Sequence, residues 1–211
     1  MIFKNDILES NIELLFPTPV MFDKINRKFT SKELNYVKYH SDKTYQNMGN
    51  TTSLNNYILN EPEFFDLKSI VQKHVENYIA KIYKPRYLVK PYITQSWLNW
   101  TKPGEYHHTH EHPNSFVSGV LYINADIKED KIKFHKSGYQ QINLETDVYD
   151  MLNAKSWWFN VKTGDIVIFP SSLTHNVETV TAGTTRISLA FNTFLKGTIG
   201  DNKILTELKN D

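Results

Sequence analysis

Cysteine is absent from the 211 residues. That excludes a disulfide framework, a thiolate metal site and a cysteine nucleophile together, so any metal must be held by histidine and carboxylate. Long apolar runs are missing too. The opening MIFKNDILESNIELLF is broken by Lys4, Asp6, Glu9 and Glu13, which leaves no uninterrupted core of signal-peptide length. No segment approaches the ~20 apolar residues needed to span a bilayer, and the expectation is a cytoplasmic enzyme or binding protein with no membrane partner. Net charge is nearly absent, with 24 Lys plus Arg against 23 Asp plus Glu. General attraction to nucleic acid is therefore not expected, and no basic stretch interleaved with aromatics suggests a strand-binding groove. Internal repeats and low-complexity linkers are also lacking, so residues 1–211 read as one domain.

Regular structure is read from periodicity. Leu15-Phe16-Pro17-Thr18-Pro19-Val20 holds two prolines and reads as an extended strap. Thr30 or Ser31 caps a helix over about 31–40. A second helix is expected over about Pro62–Lys81, where Phe65, Leu67, Ile70, Val71, Val75, Tyr78 and Ile79 recur near helical spacing. From residue 86 the signal changes to short β-rich runs: Tyr87–Trp100, Ser115–Asn124, Lys131–Phe134, Ser156–Asn160, Asp165–Phe169 and Arg186–Phe194, separated by Gly- and Pro-containing turns. The layout is a strap and supporting helices over 1–85, a β core over 86–195 and a tail over 196–211.

Four of the eight histidines fall in Tyr106-His107-His108-Thr109-His110-Glu111-His112-Pro113. If this run is extended, its period of two puts His108, His110 and His112 on one face and His107, Thr109 and Glu111 on the other. Two imidazoles two residues apart can grip one ion, as His110 with His112 or His108 with His110. A bulge could also recruit His107. His175 follows at the end of Asp165-Ile166-Val167-Ile168-Phe169-Pro170-Ser171-Ser172-Leu173-Thr174-His175, and Arg186 comes eleven residues later. Arg186 shares one strand face with Ser188 and Ala190, while Ile187, Leu189 and Phe191 take the other. A guanidinium there needs an anion, either an internal carboxylate or an external one gripped with help from Ser188. His40, His74 and His135 read as structural or surface residues.

The order His-x-His, a long gap, His, then Arg-x-Ser resembles the 2-oxoglutarate and iron(II)-dependent oxygenases. More narrowly, the chain is similar to a family of such oxygenases seen in phages and marine bacteria. The resemblance runs through Leu15–Pro19, Ser96-Trp97-Leu98-Asn99, His110–Ser115, Ser118–Ile123, Gly164–Ser171 and Arg186–Asn192. It implies a mostly β chain with flanking α-helices: a double-stranded β-helix of jelly-roll, cupin-like form, with the N-terminal helices packed on one sheet. It also implies iron(II) on His110, His112 and His175, with His112 where the wider class has Asp or Glu, and 2-oxoglutarate held by Arg186 and Ser188, with Tyr122 a further contact. Dioxygen would be the oxidant, and oxidative decarboxylation of 2-oxoglutarate would drive hydroxylation of a substrate the residues do not name. Two other classes remain: a three-histidine cupin-type metalloenzyme without 2-oxoglutarate, and a non-catalytic metal-binding β-barrel module. Trp97, Trp100, Trp157, Trp158 and Phe159 offer aromatic surface, Lys136–Ala154 reads as a variable loop over the site, and the sheet edges are compatible with a homodimer.

Overall fold

Alternation of inward and outward side chains from residue 89 onward builds two sheets that bury one face against each other, and the major sheet buries its second face against helices. The computed structural model describes residues 11–138, 142 and 144–210. In chain order the elements are β1 (Met21–Lys24), α1 (Ser31–Tyr39), β2 (Thr44–Gln46), β3 (Thr51–Ser53), α2 (Phe65–Ile82), β4 (Val89–Thr101), β5 (His107–His110), β6 (Val117–Asn124), β7 (Lys131–His135), β8 (Ser156–Asn160), β9 (Asp165–Pro170), β10 (His175–Val177), β11 (Arg186–Ile199) and β12 (Leu208–Asn210).

Among the described residues the ladders between these strands are antiparallel and fall into two sheets. The major sheet runs β1-β9-β6-β11-β4-β3-β2, with β12 added on β11, and the minor sheet runs β5-β10-β7-β8. Tyr122, Ile132, Phe134, Val161, Val167 and Phe169 form the apolar filling shared by β6 and β9 of the major sheet and β7 of the minor one. This is the double-stranded β-helix expected from the resemblance.

The helices close the outer face of the major sheet. Leu67, Val71, Val75, Tyr78 and Ile79 are the buried residues of α2, and they join Leu98, Leu121, Ile166, Ile168, Leu189 and Phe191 in the larger core. Each such side chain contributes roughly 1.5–3 kcal/mol when fully removed from water. Helix α1 starts where Thr30 and Glu33 form a reciprocal capping box, with Glu33 N–H donating to Thr30 Oγ1 at 3.2 Å and Thr30 N–H to Glu33 Oε2 at 2.7 Å.

The expected helices and the six expected strands are present. The major sheet, however, crosses the division anticipated at residue 85: β1 pairs with β9 and β3 with β4. The segment read as a tail also joins the sheet, since Gly197–Ile199 pairs with Leu208–Asn210. Within the anticipated loop Lys136–Ala154, residues 139–141 and 143 lie outside the described residues, and Leu144, Val148, Tyr149 and Met151 are exposed. Among the described residues no helix is long and apolar enough to cross a membrane.

Gly119 on β6 pairs with Phe191 on β11, and a Cβ at 119 would drive into the Phe191 ring. Gly119→Ala is therefore expected to cost about 1–3 kcal/mol through overpacking, seen as a lower Tm in thermal melts. Combining it with Phe191→Leu should recover part of the loss, and an unchanged Tm in the single variant would contradict this packing.

Candidate metal centre

Position in the site follows from register. On β11 the inward residues are Arg186, Ser188 and Ala190. Arg186 pairs with Thr101 of β4. Ser188 stands between Asn99 of β4 and Tyr122 of β6, and Ala190 between Trp97 and Val120. Across from them, the minor sheet aligns His110 of β5, His175 of β10, Phe134 of β7 and Trp157 of β8 in one row.

The strand carrying the histidines stops at His110 for a local reason. Pro113 has no N–H for a ladder, Asn114 adopts a φ of 57°, and His112 N–H donates instead to the Ser171 carbonyl at 2.9 Å. The turn that follows is fastened by hydroxyls: Ser171 Oγ donates to Ser115 Oγ at 2.7 Å and Ser118 Oγ to Asn192 Oδ1 at 2.8 Å. The imidazoles of His110, His112 and His175 converge, each offering one ligand nitrogen, with those atoms all within 4.8 Å of one another. Ring centroids lie 4.9 Å apart for His110 and His112, 4.4 Å for His110 and His175, and 5.1 Å for His112 and His175. His110 Nδ1 faces the His108 carbonyl at 2.8 Å and His175 Nδ1 faces the Leu173 carbonyl at 2.9 Å. A carbonyl only accepts, so these Nδ1 atoms carry the proton and the Nε2 lone pairs are left for a ligand bond.

His107 corrects the simple alternation. The pairing of β10 with β5 steps from His175 opposite His110 to Val177 opposite His107, so β5 carries one extra residue there. This bulge turns His107 to the site side. It stacks on His110 with centroids 4.6 Å apart, and its Nε2 lies 3.2 Å from Asn47 Nδ2. His107, His108 and His110 form a second set whose ligand atoms lie within 4.8 Å of one another. His40 and His74 lie apart from the centre, whereas His135 stands at its edge, beside the cavity-lining Asn176. His40 sits against the Tyr36 carbonyl, His74 beside Asp23 and His135 against Asn176.

Arg186 is 3% exposed and Tyr122 fully buried. Arg186 Nε meets no hydrogen-bond acceptor among the described residues. The nearest carboxylate is Asp130, 4.0 Å from Nε, and the guanidinium lies 5.0 Å from the Tyr122 ring centroid. The Tyr122 hydroxyl is likewise without a partner. Burial pushes this phenol up to about 12, with the Arg186 charge opposing. Such groups are costly to leave unmatched and mark a place for a polar guest. Burial raises the Asp130 carboxyl above its ordinary value, with the Arg186 charge opposing, and at 4.0 Å it lies beyond hydrogen-bonding distance of Arg186 Nε.

Trp97, Asn99, His107, His110, His112, Tyr122, His175, Arg186 and Ser188 line one cavity of about 40 Å³, room for about three waters. A five-carbon dicarboxylate therefore requires a side chain to move. A larger groove of about 910 Å³ lies on the outer face beside Val37, Trp100 and Ile187, and no histidine lines it. Trp157 and Trp158 stack with centroids 5.6 Å apart and Trp158 is 45% exposed. Sequence reasoning missed Asn99 and Asn176 as lining residues. The available signal for Asn99 was a polar side chain on the same strand face as Trp97.

Residues 95–192 match the family model described as "Putative 2OG-Fe(II) oxygenase". All nine lining residues named above fall inside that span. No curated protein matches the chain in sequence. Solved structures with a similar backbone include an oxidoreductase of the 2OG-Fe(II) oxygenase family from Burkholderia pseudomallei, 13% identical over 82% of this chain and 83% of that one, with a TM-score of 0.55. HygX from Streptomyces hygroscopicus, solved with nickel, 2-oxoglutarate and hygromycin B bound, is 10% identical over 83% and 82%, with a TM-score of 0.57. The non-heme alpha-ketoglutarate-dependent epimerase SnoN from nogalamycin biosynthesis is 7% identical over 84% and 78%, with a TM-score of 0.58. At these identities the likeness is one of fold.

Burial, helped by the neighbouring imidazoles, lowers His175 to about 3 and His112 to about 4, and lowers His110 and His107 as well. The folded centre stays neutral while the unfolded chain takes up protons below about 6.5. Stability of the metal-free protein is therefore full above about pH 6.5 and falls with acidification toward pH 4, by up to about 1.4 kcal/mol per pH unit for His175 alone. Thermal melts across pH 5–8 should show this slope, reduced in His175→Gln. A wild-type profile that is flat below pH 6.5 would refute it.

Proposed function

We propose that this chain is an iron(II)- and 2-oxoglutarate-dependent oxygenase, in which His110, His112 and His175 hold the metal and Arg186, Ser188 and Tyr122 hold the distal carboxylate of 2-oxoglutarate. The observation that carries the reading is a buried Arg186 with no hydrogen-bonded anion, in the cavity that three convergent imidazoles line. The residues suit the group. Three neutral nitrogens on one side of an ion leave its other positions to exogenous ligands. Since the trio brings no carboxylate, the charge of the ion is balanced by a dianionic co-substrate rather than by protein.

Iron(II) so held supplies redox chemistry with dioxygen, coupling loss of CO₂ from 2-oxoglutarate to insertion of one oxygen atom into a substrate C–H bond, with succinate as the other product. The chain's own residues bind and orient. Arg186 and Ser188 offer a fork and a hydroxyl to a carboxylate, and the Tyr122 hydroxyl, neutral at working pH, donates rather than repels. Phe134 and Phe169 pack against His175, with centroids 6.2 Å and 4.7 Å from it, and exclude water from the back of the ligand set. Hydroxylation is the proposed outcome.

Anaerobic titration of the iron(II)-loaded protein with 2-oxoglutarate should raise a visible metal-to-ligand charge-transfer band. Arg186→Ala should keep the iron and weaken the binding by about 2–5 kcal/mol, since one partner of a buried charge pair is removed. No band with iron occupancy confirmed would eliminate 2-oxoglutarate and leave the three-histidine metalloenzyme. Failure of the protein to bind iron at all would point to the non-catalytic module.

A further inference from the structure

A second group of imidazoles lies within reach of one ion, outside the inner trio of His110, His112 and His175. His107, His108 and His110 offer ligand nitrogens within 4.8 Å of one another, with ring centroids 5.2 Å apart for His107 and His108, 4.6 Å for His107 and His110, and 4.9 Å for His108 and His110. Alternation alone would split this set between the two faces of β5, and the bulge opposite Val177 brings it together. All three residues are half-buried, whereas the inner trio contains the buried His175, so the outer set is the more open of the two.

The turn after β2 prepares the outer nitrogens. Asn47 Oδ1 accepts from Met48 N–H at 2.8 Å, which orients the amide so that Nδ2 donates to His107 Nε2 at 3.2 Å and keeps that nitrogen a lone pair. His108 Nδ1 faces the Met48 carbonyl at 3.4 Å, an acceptor that favours the proton on Nδ1 and leaves Nε2 for a ligand. His110 belongs to both sets. Its Nδ1 gives its proton to the His108 carbonyl at 2.8 Å, so a single lone pair, on Nε2, serves two sites and can bind one ion at a time.

We propose that His107, His108 and His110 form a second divalent-ion site, exclusive of the inner trio because the two share one nitrogen. The ligand set names the ion class: three neutral imidazoles without a carboxylate bind Zn(II) and Cu(II) more tightly than Mn(II) or Fe(II). Zinc in the outer site withdraws His110 from the inner trio and leaves two imidazoles there, so zinc excludes iron without entering the inner site. An ion at His107 Nε2 also displaces the Asn47 amide, which acts as its competitor. The outer site stands apart from the 2-oxoglutarate reading, and only its effect on iron rests on that reading.

Calorimetric titration with Zn(II) tests the outer site by itself. His112→Gln/His175→Gln disables the inner trio, and that protein is expected to bind one Zn(II) per chain. Adding His107→Gln or His108→Gln should weaken the binding by about ten- to a hundredfold, at least the loss that follows removal of a partner to a metal ligand. Adding Asn47→Ala should strengthen it by roughly two- to tenfold, the worth of one neutral hydrogen bond, and a weakening instead would overturn the placement of the ion at His107 Nε2. If the paired variant fails to fold, His175→Gln alone carries the comparison, since it leaves two imidazoles inside against three outside. Wild type should bind one Zn(II) tightly, and two of similar affinity would overturn the exclusion. No binding in the paired variant, or binding indifferent to His107 and His108, would overturn the outer site and leave the proposed function standing. An iron(II)-loaded wild type that gives no band with 2-oxoglutarate, beside a paired variant that binds zinc through His107 and His108, would remove the proposed function and uphold the outer site.

Discussion

The centre depends on one electrostatic constraint: a guanidinium buried inside a jelly roll with no carboxylate in hydrogen-bonding contact. Asp130 stands 4.0 Å away, and its own burial favours the protonated form. A pair this long compensates charge without satisfying the guanidinium's hydrogen bonds, so Arg186 keeps donor capacity for solvent or a guest anion in the cavity. The neutral imidazoles at the other end carry the same logic, since any divalent ion they hold arrives with its charge uncompensated. No acidic side chain lines the cavity between the two ends.

The scaffold makes that arrangement rigid on one side and adjustable on the other. Arg186, Ser188, Tyr122 and Asn99 stand on the inner strands of a sheet whose outer face is covered by α2 and α1, so they move only with the core. The histidine side is built from the short strands β5 and β10 and the turn after His112. That turn is tied by serine hydroxyls rather than by apolar packing. With a cavity of about 40 Å³, adaptation to a guest falls to this lighter half, and first to His107, which a single amide contact and a stacked ring retain.

Much of this was legible in the residues. Arg186 and Ser188 announced their shared face by alternating with Ile187, Leu189 and Phe191, and the structure keeps them on it. His110, His112 and His175 converge as their order suggested, because a strand end and a strand start meet across one ladder. What stayed hidden has a common cause. Strands of three residues such as β2, β3 and β10 are too short to show a period. The hydrogen bond from Thr52 Oγ1 to Asn99 Oδ1 joins segments that no local pattern connects. The face of His107 depends on a pairing with Val177, seventy residues later, and a bulge decided by that distant partner leaves no mark in Tyr106-His107-His108-Thr109 itself.

That bulge also has an evolutionary reading. One inserted residue in β5 makes the difference between an imidazole turned away from the cavity and one stacked on His110. Loss of a single codon between His107 and His110 would rotate the upstream half of the strand by one face while leaving the convergent trio untouched. The identity of the pocket wall at this point is thus set by register and separately from the convergent trio, which lies on the other side of the bulge.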